Sequence, residues 1–406
     1  FHGMATSALE AYQAFGFNSS VKDGICNLDE ERILYPVGRH ICVYNRDSRY
    51  SEFILQNDRV EKINAVALSP SLKLLAVCER STLEAGAQCS IYNLNTMKRV
   101  KTLTFMEAGS HEFIGCCFSG DSKYIVTQGG ESDYVFVYWN WEKGKVLGTA
   151  RVQSPVHRIS ISPYDNAQVV TTGPKLMRVW RSVEGQLRGF NASGIKKDLS
   201  YLDHAWISAD SLAVINDQNE IQIFEADSCV ATISSIHPER GGLTALRSFS
   251  RGLVVGGENG FLAVYERTDE REMYSSIFKA SADSSSSLVS MAISPSEEIL
   301  SCGFANNKIA IVPLNNIDVL KPDDDPFKFI QSGAHESSIT GLDVCLRRPL
   351  LFSCGTDRII RVQNYVERTT VLSKRFADEI YSIACHPLGF QVAVGFADKL
   401  RLMDVL

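Results

Sequence analysis

An all-β propeller of about nine four-stranded units is the architecture this 406-residue chain implies, on two observations. One unit recurs along the whole chain, and inside each copy the apolar residues alternate with a period of two rather than the 3.6 of a helix. The clearest copy spans residues 335–364. It opens at Gly333-Ala334-His335 and continues through three alternating apolar runs, 339–345, 350–354 and 359–363, with a fourth at 370–376. Each run has the length and alternation of a short strand. Gly355-Thr356-Asp357-Arg358 reads as the tight turn between the second and third strands, with Gly355 supplying positive φ and Asp357 a local hydrogen bond.

Aligning the first strands gives the period. The position just after each apolar core is Ser69, Ser119, Ser162, Ser208, Phe249, Ser294, Cys345 and His386, separated by 50, 43, 46, 41, 45, 51 and 41 residues. An earlier copy has its second and third strands at 33–37 and 41–44. The units therefore fall near 20–55, 63–105, 113–151, 156–190, 202–235, 243–280, 288–332, 339–376 and 380–406. Proline follows the aligned serine at Pro70, Pro163 and Pro295, where a missing N–H ends a ladder. Third strands are placed at 89–93, 135–139, 176–180, 221–224, 261–265, 309–313, 359–363 and 400–403.

The unit resembles a WD repeat. His335, Ser353 and Asp357 stand where that motif has its turn histidine, second-strand hydroxyl and turn aspartate, with Gln363 in the place of its tryptophan. These three are expected to stiffen a blade rather than to catalyse. Only Trp139 and Trp180 put tryptophan near the motif position, so the match is to a divergent form.

An open ring leaves an unpaired strand edge, so closure must be accounted for. The last unit stops after its third strand, and the apolar stretch 9–17 can supply the missing one, which favours a nine-unit ring closed from both termini. In the alternative, seven units close and two begin a second propeller. Phe1-His2-Gly3 ahead of Met4 reads as a cloning remnant.

Composition fits a folded chain with protein partners. The apolar fraction is 45% and the net charge −6, which gives no whole-chain basic field for nucleic acid or an anionic membrane. No run reaches the roughly eighteen apolar residues of a membrane-spanning helix. Eleven cysteines, an odd number, lie largely inside strand runs and are expected to be reduced. Two segments break the pattern: 279–287, rich in serine, and 321–325, Lys-Pro-Asp-Asp-Asp. Both read as solvated loops, the first with a phosphorylation alternative and the second with a cation or basic-partner alternative. The second lacks the alternate spacing and distal glutamate of a calcium loop.

Catalytic patterns fail one by one. Gly130-Glu131-Ser132-Asp133-Tyr134 lacks the second glycine of a nucleophile elbow, and Gly144-Lys145 lacks the rest of a phosphate loop. Cys116 and Cys117 are adjacent and face opposite sides of a strand, so they cannot share a zinc. His157 and His204 fall in first strands near the axis and are expected to be structural. No catalytic, cofactor or metal residues are assigned.

One stretch points to a narrower relationship. Asp121-Ser122-Lys123-Tyr124-Ile125-Val126-Thr127-Gln128, followed by Tyr138-Trp139-Asn140-Trp141-Glu142-Lys143, resembles the WD-repeat proteins of cilia and flagella. Support comes from 21–26 with 33–36, from 162–169 and from 395–403, so the likeness covers essentially the whole chain. That resemblance implies a non-enzymatic scaffold of the axoneme, in the cytoskeleton of the cilium or flagellum. Its implied partners are inner dynein arm and regulatory-complex components and tubulin, with oligomerisation through a coiled-coil region outside this sequence. The runner-up readings are another intracellular adaptor, such as a ubiquitin-ligase receptor or trafficking scaffold, and a propeller hydrolase. A hydrolase predicts titratable groups converging on the channel. On the strand, Trp139 and Trp141 share one face and Tyr138 and Asn140 the other. Tyr138 and Trp141 are the candidate partner-binding residues if Trp141 stays exposed; otherwise both tryptophans are core.

Overall fold

The computed structural model describes residues 13–405 except 57–58, 82–85, 108, 184, 197, 227, 235–240, 269–272, 283–285, 321–324 and 332–334. The regular elements within them are strands, apart from the single turns Glu258–Gly260 and Ile317–Val319. They form nine antiparallel sheets, eight of four strands and one of three, each with its strands paired in sequence order. The third strands are Ala87–Asn93, Val135–Asn140, Leu176–Val183, Ile221–Glu225, Phe261–Arg267, Ile309–Pro313, Ile359–Asn364 and Leu400–Asp404, matching the positions expected from alternation. Second and third strands are buried on both faces because each blade is packed between neighbours, as in Tyr124–Gly129 and Val135–Asn140. Parts of both loops that break the pattern, 283–285 and 321–324, lie outside the described residues.

The recurring serine has a structural task beyond marking the period. Ser119 donates its N–H to the Tyr124 carbonyl at 3.0 Å, and its Oγ accepts the Tyr124 N–H at 2.9 Å. Ser69 with Leu74 and Ser294 with Ile299 repeat the pair. Each turn bends at a residue of positive φ three places on, Leu72, Ser122 and Glu297, and the buried serine satisfies both ends of it.

Gly355 departs from expectation. Positive φ in its turn belongs to Arg358, at 65°. The glycine is required instead by crowding, since a Cβ there would lie 2.8 Å from the Ser338 carbonyl and 3.0 Å from both Asp357 Oδ1 and His335 Nδ1.

Ring closure also differs from the nine-unit arrangement. From the second blade to the seventh, successive blades pack first strand to first strand, and the seventh's first strand Leu288–Ile293 then lies against Cys26–Asn27 of the first blade. Ile25 donates its N–H to Ser290 Oγ at 3.1 Å, Asn27 Nδ2 donates to the Ala292 carbonyl at 2.9 Å, and Ser301 Oγ donates to Asn27 Oδ1 at 2.6 Å. Seven blades therefore close, and the eighth and ninth pack on each other through Ile339–Val344 and Ile380–Cys385. The ninth sheet has three strands. Of the segment expected to complete it, residues 9–12 lie outside the described residues and 13–17 form no strand. Phe17 is instead buried between the first and seventh blades with Tyr35, Ile33, Ile309 and Ile311, over Gly303, where a Cβ would meet its ring at 2.8 Å. Burial at this seam removes the Phe17 ring from water, which holds the segment against the first and seventh blades.

One buried carboxyl ties stability to pH. Glu79, 2% exposed, sits in the second blade beside Tyr92, whose hydroxyl lies 3.4 Å from Glu79 Oε1 and donates to Gln56 Oε1 at 2.6 Å. Burial pushes the Glu79 carboxyl up to about 7. Its folded-state value thus exceeds that of the unfolded chain, so the associated stability is complete below about pH 4.5 and is lost as pH rises through 7. Glu79→Gln should match the wild type in acid and exceed it by roughly 2–3 kcal/mol near pH 8, as measured by urea unfolding at the two pH values.

Candidate functional site

Charged groups converge on the axis of the seven-bladed ring. The segment before the first blade runs along the second blade's first strand, with the Lys22 N–H donating to the Asn64 carbonyl at 2.9 Å and the Val66 N–H to the Lys22 carbonyl at 3.2 Å. That pairing places Asp23, at φ 49°, in the channel. Arg158, Asp203 and Arg247 reach it from the first strands of the fourth, fifth and sixth blades, Arg158–Ile161, Tyr201–Trp206 and Leu243–Phe249. Arg158 Nη1 lies 3.1 Å from Asp23 Oδ1 and 2.9 Å from Asp203 Oδ1. Arg247 Nη1 lies 3.1 Å from Asp203 Oδ2, and its Nη2 lies 2.5 Å from Asp23 Oδ1. Arg247 Nε donates to the Met291 carbonyl of the seventh blade at 2.9 Å, and the Leu246 N–H donates to Asp203 Oδ2 at 2.9 Å. One network thus joins four blades and the N-terminal segment.

Electrostatics in the network favour fixed charge over reactivity. Burial pushes the Asp23 and Asp203 carboxyls up, but Arg158 and Arg247 together outweigh it and hold both below the usual carboxylate range. Burial pushes the Lys22 ammonium down. A cavity of about 550 Å³ opens beside them, lined in part by Asp23, Arg158, Arg247, Cys26 and Cys117. Burial raises the Cys26 thiol to about 12 and raises that of Cys117 as well, so neither is an activated nucleophile.

Ser160 and His204 come together closely, with Oγ and Nε2 2.6 Å apart. The other histidine nitrogen meets Thr172 Oγ1 at 2.9 Å rather than a carboxylate, and Trp206 Nε1 donates to Ser160 Oγ at 2.9 Å. His204 is 1% exposed, and burial drops its value to about 3. The pair is a neutral buried link between the fourth and fifth blades. His157, half-buried, lies against the Tyr201 carbonyl at 3.0 Å and also joins these two blades.

The structure brings His335, Ser353 and Asp357 together. His335 Nδ1 lies 2.9 Å from Asp357 Oδ2, and its Nε2 lies 2.9 Å from Ser353 Oγ. Both side chains of the His335–Asp357 pair are 3% exposed, and Gln363 is buried in the tryptophan place. The aromatic stretch obeys strand alternation, Trp139 and Trp141 facing the second blade and Tyr138 the fourth. Its use as a partner surface is corrected. Trp141 is 7% exposed and Tyr138 4%, with Trp141 Nε1 donating to the Ser122 carbonyl at 2.7 Å and the Tyr138 hydroxyl to the Asn166 carbonyl at 2.6 Å. Both are core because their polar tips find half-buried acceptors in the turns of their own and the next blade.

Sequence reading missed Asp23, Arg158, Asp203 and Arg247. A signal was present: each of the last three is a charge inside a first strand, and first strands line the axis, so such a charge finds its partner among the first strands of neighbouring blades and the segment in the channel. The eleven cysteines are free thiols, and Cys116 and Cys117 point into different interfaces. Among the described residues no cluster of three or more histidine, cysteine or acidic groups could hold a metal ion.

Comparison with known proteins follows the same lines. The WD domain, G-beta repeat family matches residues 327–364. Cilia- and flagella-associated protein 57 of Mus musculus is 30% identical over 99% of this chain and 37% of its own length. Cilia- and flagella-associated protein 57 A of Tetrahymena thermophila is 23% identical over 96% of this chain and 35% of its own length. The 77 kDa echinoderm microtubule-associated protein of Strongylocentrotus purpuratus is 20% identical over 97% of this chain and 56% of its own length. The chain thus spans little more than a third of the first two relatives. Among solved structures, a chain of a mitotic checkpoint complex superposes with a TM-score of 0.58 at 13% identity, over 77% of this chain and 97% of its own, which shows the propeller fold alone.

Proposed function

We propose that this chain, a WD-repeat β-propeller related along nearly its whole length to the cilia- and flagella-associated proteins, is a non-enzymatic scaffold of the ciliary and flagellar axoneme. It helps to assemble, anchor or regulate inner dynein arms on doublet microtubules, with inner-arm and regulatory-complex proteins and tubulin as partners. The observation that supports this best is the relatedness over 99% of the chain. Geometry agrees with it: the channel charges are consumed in holding blades together, the Ser160–His204 contact is buried and neutral, and a rigid ring presents many loops to partners. The microtubule-associated relative from sea urchin supports a site on the doublet. Oligomerisation belongs to a coiled-coil region elsewhere in the protein.

The eighth and ninth blades supply the second half of this reading. Ile339 is 59% exposed, Leu342 62%, Leu346 82%, Leu400 69% and Leu402 75%, apolar side chains on the sides of the two blades that do not face each other, such as neighbouring blades cover in the first ring. The relatives are about three times longer than the matched region, and a second ring to which these two blades belong covers both sides.

The test is localisation of the tagged full-length protein in ciliated cells. The expected result is axonemal signal that survives detergent removal of the membrane, together with loss of inner-arm dynein when the protein is deleted. Signal confined to the cell body with dynein intact overturns the proposal in favour of a general intracellular adaptor.

A further inference from the structure

The cavity beside the channel network combines an apolar wall with charge gathered at one point. Its volume, about 550 Å³, falls within the range of about 300–1,000 Å³ that small-molecule sites occupy. Ile25, Val66, Leu68, Ile159, Met291 and Ile293 form much of the wall, and the charged residues in the lining are Asp23, Arg158 and Arg247, which are bonded to one another. Such a chamber suits a ligand with an apolar body and a single polar head.

Charge decides the kind of head. The network holds three cations, Lys22, Arg158 and Arg247, against two carboxylates, Asp23 and Asp203. Lys22 lies in a smaller chamber that Asp23 and Arg158 also line, and among the described ion pairs none involves its ammonium. Burial pushes that ammonium down, and Asp23 and Asp203 do not fully offset it. Holding the blades together uses only Nη1 of Arg158, which meets both Asp23 and Asp203. Its Nε is buried without a partner, and no described hydrogen bond uses its Nη2. Those two groups form one edge of the guanidinium, a pair of parallel donors spaced for the two oxygens of a carboxylate. A phosphoryl group, nearly doubly charged, would overshoot the single excess charge, whereas a carboxylate matches it. We infer that the channel binds an apolar monocarboxylate, its head on Arg158 and its body against the cavity wall, supplied either as a small organic acid or as the C-terminal residue of another protein chain.

Titration calorimetry of the 406-residue chain with octanoate, and with a tetrapeptide ending in leucine with a free carboxylate, tests the assignment. Binding of at least one is expected at about 1 mM or tighter. The matching amide, octanamide or the amidated peptide, keeps the body without the charge and should bind about tenfold more weakly or worse. Arg158→Lys keeps the charge but not the paired donors, and should weaken binding by a similar factor. Lys22→Gln leaves the pairs between Asp23, Asp203 and the two arginines in place, and should weaken binding severalfold at an unchanged or higher melting temperature. Lys145→Ala, on the exposed outer strand Lys145–Arg151, should have no effect. Should Arg158→Lys fail to fold, Lys22→Gln and the ratio of acid to amide decide. Tighter binding of octanoate than of the peptide identifies a small acid as the source, and the reverse identifies a chain terminus; either supports the site. Failure of both acids to bind, equal affinity for acid and amide, or binding unchanged in Lys22→Gln and Arg158→Lys overturns it. None of these results bears on axonemal localisation.

Discussion

Replacing Asp203 by alanine should destabilise the ring by about 3–5 kcal/mol, the cost of removing one partner from a buried ion network. Its carboxylate, 6% exposed, accepts from Arg158, Arg247 and the Leu246 N–H, so three donors on the two flanking blades lose their acceptor together. Packing loss is small by comparison, since the side chain is short. The pH profile separates this from a generic core defect. Asp203 and Asp23 have folded-state values below those of the unfolded chain, so their stabilisation is complete above the ordinary carboxylate value of 3.8 and is lost as pH falls beneath it. Wild-type melting temperature should drop steeply below about pH 4, while Asp203→Asn, already without the charge, should start lower and fall less. High salt should change either only slightly, because the pairs are shielded from solvent. A wild-type acid transition that survives unchanged in Asp203→Asn would assign it to other carboxylates.

Trp141→Ala should cost a similar amount, about 3–5 kcal/mol in urea unfolding. The indole is packed with Trp139, Phe105, Phe118 and Ile125 between the second and third blades, and its loss also strands the Ser122 carbonyl in a positive-φ turn. Trp141→Phe keeps most of the ring volume and isolates the hydrogen bond, at about 1 kcal/mol. A Trp141→Ala protein as stable as the wild type would return Trp141 to the surface and reopen it as a docking residue.

The match between expected and observed strands was close because the information is local. Alternation with period two decides which face of a strand is buried, and the turn residues decide where it stops, so the third strand of each later blade lay within a few positions of its expected place. His335, Ser353 and Asp357 were legible for the same reason, since a repeat motif names its own partners within one blade. Tyr138 and Trp141 were half legible: alternation assigned their faces correctly, but exposure depends on the neighbouring blade's surface, which no local pattern describes.

Sequence by itself thus determined the all-β class, nine repeating units, the strand positions and the grouping of His335, Ser353 and Asp357 in the eighth blade. Tertiary structure alone decided that the seventh blade closes on the first, that Phe17 fills the seam, and that Asp23, Arg158, Asp203 and Arg247 meet on the axis. The physical reason is range. Pairing within a blade is enforced between residues a few positions apart, whereas closure joins Ile25 to Ser290 and the channel network joins Asp23 to Arg247, contacts whose energy exists only once the intervening blades have set the curvature of the ring.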